Sequence, residues 1–136
     1  MAKMVLLSTY VAINSVDRST WCNKAELVVD VEAKDVTTFA SAGWVEYLGG
    51  LKSGTLNLEF KTDFEDSSLD DTMWALLGTV VTFEVRPTSS AAGASNPKYT
   101  GSVLINGWSP ISGNVGDEAS VSVGFPTSGA VTRAES

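Results

Sequence analysis

One stretch of alternating side chains constrains the fold of this chain more than any other feature. Between Thr55 and Phe64, every odd-numbered position is polar and most even-numbered positions are apolar. Successive side chains of a β-strand point to opposite faces, so this pattern predicts a strand with one buried face. The residues expected on that face are Leu56, Leu58, Phe60 and Phe64.

A short helix is predicted to follow this strand, from Asp66 to Leu77. Apolar residues recur there at the spacing that places them on one helix face, and Trp74 widens that face. Ser67 or Ser68 can cap the N-terminus, and Gly78 can adopt the left-handed conformation that often follows a helix. The expected buried residues are Leu69, Met73, Leu76 and Leu77.

The same alternation predicts strands in the rest of the chain. It resumes from Thr79 to Val85 and stops before Pro87, which has no amide hydrogen for a sheet. Ser15 to Thr20 is predicted to form a turn. Further strands are predicted for Val5–Asn14, Lys24–Ala33, Tyr99–Trp108 and Glu118–Phe125. This pattern indicates a mainly β fold, an antiparallel β-sandwich or partly closed barrel with one flanking α-helix.

Two segments lack a sustained pattern. Lys34 to Gly50 is predicted to be a long loop or arm that is too apolar for a solvated linker. It either folds back on its own core or packs on a neighbouring subunit. The segment from Thr127 to Ser136 is predicted to be a flexible tail. The large apolar residues of the arm are Phe39, Trp44, Tyr47 and Leu48.

The composition predicts one domain without catalytic machinery. With 136 residues, 43% of them hydrophobic, residues 1–136 can bury a core without disulfides or metals. Cys22 is the only cysteine and histidine is absent, so the sequence excludes a Ser-His-Asp triad, a Cys-His dyad and zinc sites that use imidazole. Phosphate-binding and dinucleotide-binding motifs are also absent. We therefore expect neither a cofactor nor an enzymatic activity.

The charge distribution argues against tight binding to nucleic acids. The net charge is −7, and six of the sixteen acidic residues lie between Glu59 and Asp71. A protein that grips DNA needs a basic patch to neutralise phosphates, and this sequence offers none. Calcium is not predicted either, because an EF-hand loop beginning at Asp63 would need glycine at Ser68 and glutamate at Trp74.

Four tryptophans leave a second kind of function open. Aromatic faces can stack on sugar rings, so a monomeric β-sandwich binding module, such as a carbohydrate-binding adhesin domain, is the alternative interpretation. Packing in a core or an interface accounts for the same side chains. The tryptophans are Trp21, Trp44, Trp74 and Trp108.

Five short groups of residues, spread from about Thr38 to Val131, are informative through their order and spacing. The first three groups are Trp44, Glu46, Leu48, Gly50, Leu51, Ser53, Gly54 and Thr55, then Trp74, Leu76, Gly78 and Thr79, then Val85, Arg86 and Pro87. The last two are Asn96, Pro97, Tyr99 and Gly101, then Pro110, Ser112, Gly113, Val115, Gly116 and Asp117. Together, in this order and spacing, they resemble the major tail tube proteins of long-tailed bacteriophages.

The resemblance implies a self-assembling structural protein. In this family a β-sandwich subunit with a flanking helix forms hexameric rings, which stack into the tube through which viral DNA is ejected. The implied partners are further copies of the chain and other tail components, such as tape measure, terminator and baseplate or tip proteins, without membrane insertion. The implied location is the virion tail, after assembly in the host cytoplasm. Lambda-type relatives add a C-terminal immunoglobulin-like domain, which this chain is expected to lack.

Two sets of functional residues follow from the resemblance. Arms of this kind contact neighbouring subunits, so Phe39, Trp44, Tyr47 and Leu48 are predicted to lie in a subunit interface. The polar faces of the strands beginning near Lys24, Ser53, Tyr99 and Glu118 are predicted to line the lumen. The lining residues would be Glu26, Asp30, Glu59, Asp63, Ser120 and Ser122. A solvated outer face explains the same alternation.

Overall fold

Two antiparallel β-sheets face each other in the computed structural model of the chain, which describes residues 3–66 and 68–136. The three-stranded sheet contains β3 (Cys22–Asp35), β4 (Tyr47–Lys61) and β7 (Ser120–Pro126), in the order β3-β4-β7. The five-stranded sheet contains β1 (Tyr10–Ile13), β2 (Val16–Asp17), β5 (Val80–Arg86), β6 (Lys98–Leu104) and β8 (Thr132–Ala134), in the order β2-β1-β5-β6-β8. One helix, α1 (Leu69–Leu76), connects β4 to β5. The prediction of a mainly β sandwich with a flanking helix is confirmed, and the described strands form no closed barrel.

The alternating strand β4 supplies the centre of the core. Leu56, Leu58 and Phe60 are buried, while the residues between them point away from the five-stranded sheet. Buried side chains from both sheets and from α1 complete one cluster, so a single apolar layer holds the two sheets together. The other buried members of this cluster are Val11, Ile13, Leu69, Met73, Val81, Phe83, Val103, Ile105, Trp108, Val121 and Phe125.

The predicted strand ends earlier than its sequence pattern suggested. β4 stops at Lys61, and Phe64, which was expected in the core, is 55% exposed. A side-chain turn ends the strand, because Asp63 Oδ1 accepts a hydrogen bond of 3.0 Å from the Glu65 amide. The turn redirects the chain toward α1 and leaves Phe64 outside the sandwich.

The helix is shorter than predicted but ends as expected. It runs from Leu69 to Leu76, with Ser68 at the N-cap position, and Ser67 lies outside the described residues. The Ser68 hydroxyl makes no capping bond and donates instead to the Glu65 carbonyl at 2.6 Å. Gly78 has a φ of +86°, the left-handed conformation that was predicted after the helix. Two expectations for the buried face are wrong. Trp74 is 57% exposed and Leu77, which lies just past the helix, is 39% exposed, because the sandwich covers only the Leu69 and Met73 side of α1.

Two hydrogen bonds attach α1 to the sandwich. Trp108 packs against Phe60, with ring centroids 5.9 Å apart, and its Nε1 donates to Asp70 Oδ1 at 3.0 Å. On the other side, the buried Arg18 donates from Nη1 to the Thr72 hydroxyl at 2.6 Å. Burial lowers the pKa of the Arg18 guanidinium. The helix is therefore fixed to both sheets, since Trp108 contacts β4 and Arg18 directly follows the β1–β2 hairpin.

Several predicted boundaries are wrong because backbone pairing, and not the hydrophobic pattern, decides where each strand begins and ends. The first strand covers only Tyr10–Ile13, and the predicted turn after it contains β2, which pairs with β1. The strands β6 and β7 are shorter and shifted relative to the predicted hairpin. The predicted tail contains β8, which pairs with Lys98, Tyr99 and Thr100 of β6. Main-chain hydrogen bonds, which leave no mark on side-chain alternation, place these segments.

Residues 3–66 and 68–136 contain no helix with the length and apolar character to cross a membrane. Nor do they contain a group of three acidic or cysteine side chains arranged to hold a metal ion.

Candidate assembly surfaces

Both ends of the predicted loop from Lys34 to Gly50 belong to a two-stranded hairpin, and residues 36–46 connect its strands. β3 continues to Asp35 and β4 begins at Tyr47, and these two residues pair with each other. β7 pairs with β4 only from Thr55 onward, so the hairpin from Asp30 to Ser53 extends past the sandwich. We call this segment the hairpin arm. Six residues of paired strand give it a length of about 20 Å before the turn at its tip.

A network of local hydrogen bonds fixes the tip of the arm. The Thr37 hydroxyl accepts from the Glu46 amide at 2.8 Å, and the Val36 amide donates to the Glu46 carbonyl at 3.0 Å. Asp35 Oδ1 accepts from the Thr37 amide at 2.9 Å, and this amide holds the pKa of the Asp35 carboxyl below its usual value. A short 3₁₀ turn, Phe39–Ser41, crosses the end. The tip thus has a defined shape before any partner binds.

The arm exposes the apolar residues that were predicted to lie in an interface. Phe39 is fully exposed, Trp44 is 78% exposed, and Tyr47 and Leu48 are also open to solvent. Val29 at its base lies on the same face of β3 as Ala25 and Leu27, which pack against the core, yet it is 51% exposed because no second layer of the described residues covers that end of the sheet. Several large exposed apolar residues on one projecting segment are typical of a site of association. The sequence reasoning missed the contribution of Val29, Val31, Val36, Val45 and Leu51 to this surface.

The polar face of the three-stranded sheet carries five of the six predicted lining residues. Strand pairing places Glu26 opposite Asn57, Asp30 opposite Ser53, and Glu59 opposite Ser122, with Ser120 opposite Lys61. All of these side chains lie on the side away from the core. The predicted grouping is therefore present as one continuous surface.

Asp63 is the predicted lining residue that the structure does not bring to this face. It lies beyond the end of β4, where its Oδ2 accepts from Trp21 Nε1 at 3.1 Å. Its bonds to the Glu65 amide and to Trp21 lower the pKa of its carboxyl. Its role in the structure is to turn the chain between β4 and α1.

The polar face is less acidic than the candidate residues suggested. Asn57 Nδ2 donates to Glu26 Oε1 at 3.0 Å, and Asn23 Nδ2 donates to Glu59 Oε1 at the same distance. Lys61 on this face forms an ion pair of 2.9 Å with Glu118. The register also places Lys24 opposite Glu59. Acids, lysines and small polar side chains therefore alternate along the face, with a modest acidic excess.

Small residues on β7 leave part of this face without protruding side chains. A Cβ added at Gly124 would lie 2.7 Å from Asn57 Oδ1, closer than real Cβ atoms approach oxygen, so a side chain there would displace the amide that binds Glu26. Ser120 and Ser122 precede this glycine on the same face of β7. The β7 side of the sheet therefore presents a smooth, uncharged strip.

Comparisons with known proteins agree with this architecture. The sequence profile of the phage tail tube protein family matches residues 18–133. The fold is similar to a chain in the virion of a native gene transfer agent particle, with a TM-score of 0.66 and 21% identity over 83% of this chain and 84% of that one. It is also similar to a chain in the tail of an empty gene transfer agent particle refined with C6 symmetry, with a TM-score of 0.66 and 22% identity over 82% of this chain and 81% of that one. No curated protein sequence matches the chain.

Family membership rests on the extent of the profile match. The match begins at the buried Arg18 beside α1, includes the hairpin arm and α1, and ends within β8. The chain belongs to the phage tail tube protein family.

Proposed function

We propose that this protein is the tail tube subunit of a phage or phage-like particle, that it assembles into hexameric rings, and that stacked rings form a conduit for DNA ejection. The hairpin arm carries the proposal, because about 20 Å of ordered hairpin ends in aromatic side chains that its own fold leaves exposed. The particle tail that contains a structurally similar chain was refined with C6 symmetry, which supports six copies per ring.

Open sheet edges supply a second argument for assembly. The three-stranded sheet ends at β3 on one side and at β7 on the other, and neither edge has a further strand partner among the described residues. Exposed edges promote uncontrolled association unless they are covered or closed. Pairing of β7 in one copy with β3 in the next would turn six such sheets into one closed wall.

In that wall, one face of the sheet would line the lumen. The core occupies one face, so the face with Glu26, Asp30, Glu59, Ser120 and Ser122 would point inward. DNA carries about one negative charge per 1.7 Å, so a basic lining would hold it by releasing counterions. A weakly acidic and partly neutral lining would let it pass without specific binding.

The remaining parts of the function follow from this role. The protein would assemble in the host cytoplasm, reside in the virion tail, and meet the tape measure, terminator and baseplate or tip proteins. We propose no catalytic activity. A monomeric sugar-binding module remains the second candidate because Trp44 and Trp74 are exposed, whereas Trp21 and Trp108 donate hydrogen bonds within the fold.

Electron microscopy of negatively stained protein tests the assembly directly. We expect rings or hollow tubes from the purified protein, and we expect F39S/W44S to abolish them while the monomer stays folded. I111S/V115S is the matched control, since these two loop residues are similarly exposed and lie outside the arm. Wild-type protein that stays monomeric while its tryptophan fluorescence responds to glycans would favour the binding module instead.

A further inference from the structure

The sandwich is open at the end where the hairpin arm begins. A groove of about 400 Å³ separates the inner face of β3 from β5 and β6. This volume is within the range of pockets that accept organic ligands, so it is large enough for an aromatic side chain. Its walls are mostly apolar, and the lining residues on the strands and at their ends include Ala25, Leu27, Val29, Val85, Pro87 and Tyr99. Leu6 and Thr9 of the N-terminal segment also border it.

The arm of the same molecule cannot fill this groove. Val29 lines the groove and the arm begins at the next residue, but Phe39 lies at the far end of the paired strands. For Phe39 to fold back, the pairs from Asp30–Ser53 to Asp35–Tyr47 would have to break. With the tip held about 20 Å away, only a second molecule can bring a tip to the groove.

We propose that the tip of the hairpin arm of one copy inserts Phe39 and Trp44 into the groove of a neighbouring copy. This inference rests on the proposed function, because it names the surface that receives the arm in the assembly. The two surfaces differ from each other, and such a head-to-tail contact generates rings or open filaments rather than closed pairs. The single chain therefore carries both halves of a repeating contact.

The chemistry of the two surfaces is complementary. Two exposed aromatic rings would leave water for an apolar groove, the arrangement in which interface anchors contribute most. Arg86 forms part of the wall, where its guanidinium carbon lies 4.0 Å from the centre of the Tyr10 ring. A guanidinium in such a wall also favours an incoming tryptophan face.

Cross-linking between copies tests the assignment. In a C22S background, which removes the native thiol, one chain would carry F39C and another V29C, and the mixed assembly would be treated with a short bismaleimide. We expect a cross-linked F39C–V29C product in at least about tenfold excess over the product from F39C with I111C. The control position is on an exposed loop that does not line the groove.

A second variant measures the energetic role of the groove. V29K would place a charge in the groove wall, and V16K places the same charge at a residue of similar exposure away from the groove. We expect V29K, but not V16K, to raise the protein concentration needed for assembly by at least about tenfold, as loss of an anchor contact does. Circular dichroism of both monomers checks that each remains folded.

The outcomes separate the groove from the function as a whole. Rings or tubes that form without selective F39C–V29C cross-linking, or that tolerate V29K, would overturn the groove assignment and leave the tube subunit intact. Protein that forms no assembly and no cross-link at any concentration would overturn the proposed function, and the groove assignment with it.

Discussion

Replacing Trp108 by phenylalanine should loosen the attachment of α1 to the sandwich. The change keeps an aromatic ring against Phe60 but removes the Nε1 donor that lies 3.0 Å from Asp70 Oδ1. Hydrogen bonds to charged groups contribute about 1.5–3 kcal/mol. Asp70 is only half-buried, so water replaces part of the lost bond, and we expect W108F to lower the free energy of unfolding by about 1.5 kcal/mol.

A double-mutant cycle isolates this bond from other effects. D70A also changes the first turn of α1, but this change occurs with either tryptophan or phenylalanine at position 108, so it cancels in the cycle. The coupling between W108F and D70A should be about 1 kcal/mol, measured by urea unfolding of the monomer with circular dichroism as the signal. W108A, which also opens a cavity beside Phe60, should cost about 3–5 kcal/mol.

The control for this cycle is a second indole bond at a less buried place. Trp21 Nε1 donates to Asp63 Oδ2 at 3.1 Å, but both residues are partly open to solvent, whereas Trp108 is 8% exposed. W21F should therefore destabilise the monomer less than W108F. A coupling near zero for Trp108 and Asp70, or a larger loss from W21F than from W108F, would refute the view that this bond fixes α1.

Three further predictions concern the backbone, pH and the polar face. G78A should lower the free energy of unfolding in urea by about 1 kcal/mol, because Gly78 has a φ of +86°, a conformation that a side chain disfavours even with open space around it. G107A, also in open space, should not lower it, and equal losses would refute this explanation. The pKa of Asp63 is lowered in the folded state, so this carboxylate stabilises the fold fully above the unfolded pKa near 3.8. That stabilisation is lost as the pH falls through the folded pKa, so D63N should flatten the acid side of a plot of melting temperature against pH, and an unchanged plot would contradict this. Assembled E26K should retain short DNA duplexes in a salt-dependent way, measured by co-sedimentation, while E84K on the other sheet should not; equal retention would argue that the face with Glu26 does not line the lumen.

The alternation from Thr55 onward identified the central strand from sequence alone because a strand with one buried face must separate apolar from polar side chains. Helical spacing and a missing side chain are local properties, so Leu69, Met73 and the left-handed Gly78 were also predictable. The exposure of Trp74 and Leu77 was not, because it depends on how much of the helix the sandwich covers. Family resemblance was also visible from the order of short groups such as Trp74 to Thr79, which the profile match confirms.

Other features depended on contacts between distant segments. β8 and the outer part of the hairpin arm, where Lys34 and Asp35 pair with Leu48 and Tyr47, form through backbone bonds, and their exposed side chains carry no alternation for the sequence to reveal. Trp108 and Trp44 have similar local surroundings in the sequence, yet one is buried against Phe60 and the other is exposed at the tip of the arm. Likewise, Asp63 does not lie on the polar face, because its carboxylate accepts a hydrogen bond in the turn into α1. Periodicity determined which face of an element is apolar, whereas the tertiary structure decided which apolar faces the fold covers and which it leaves exposed.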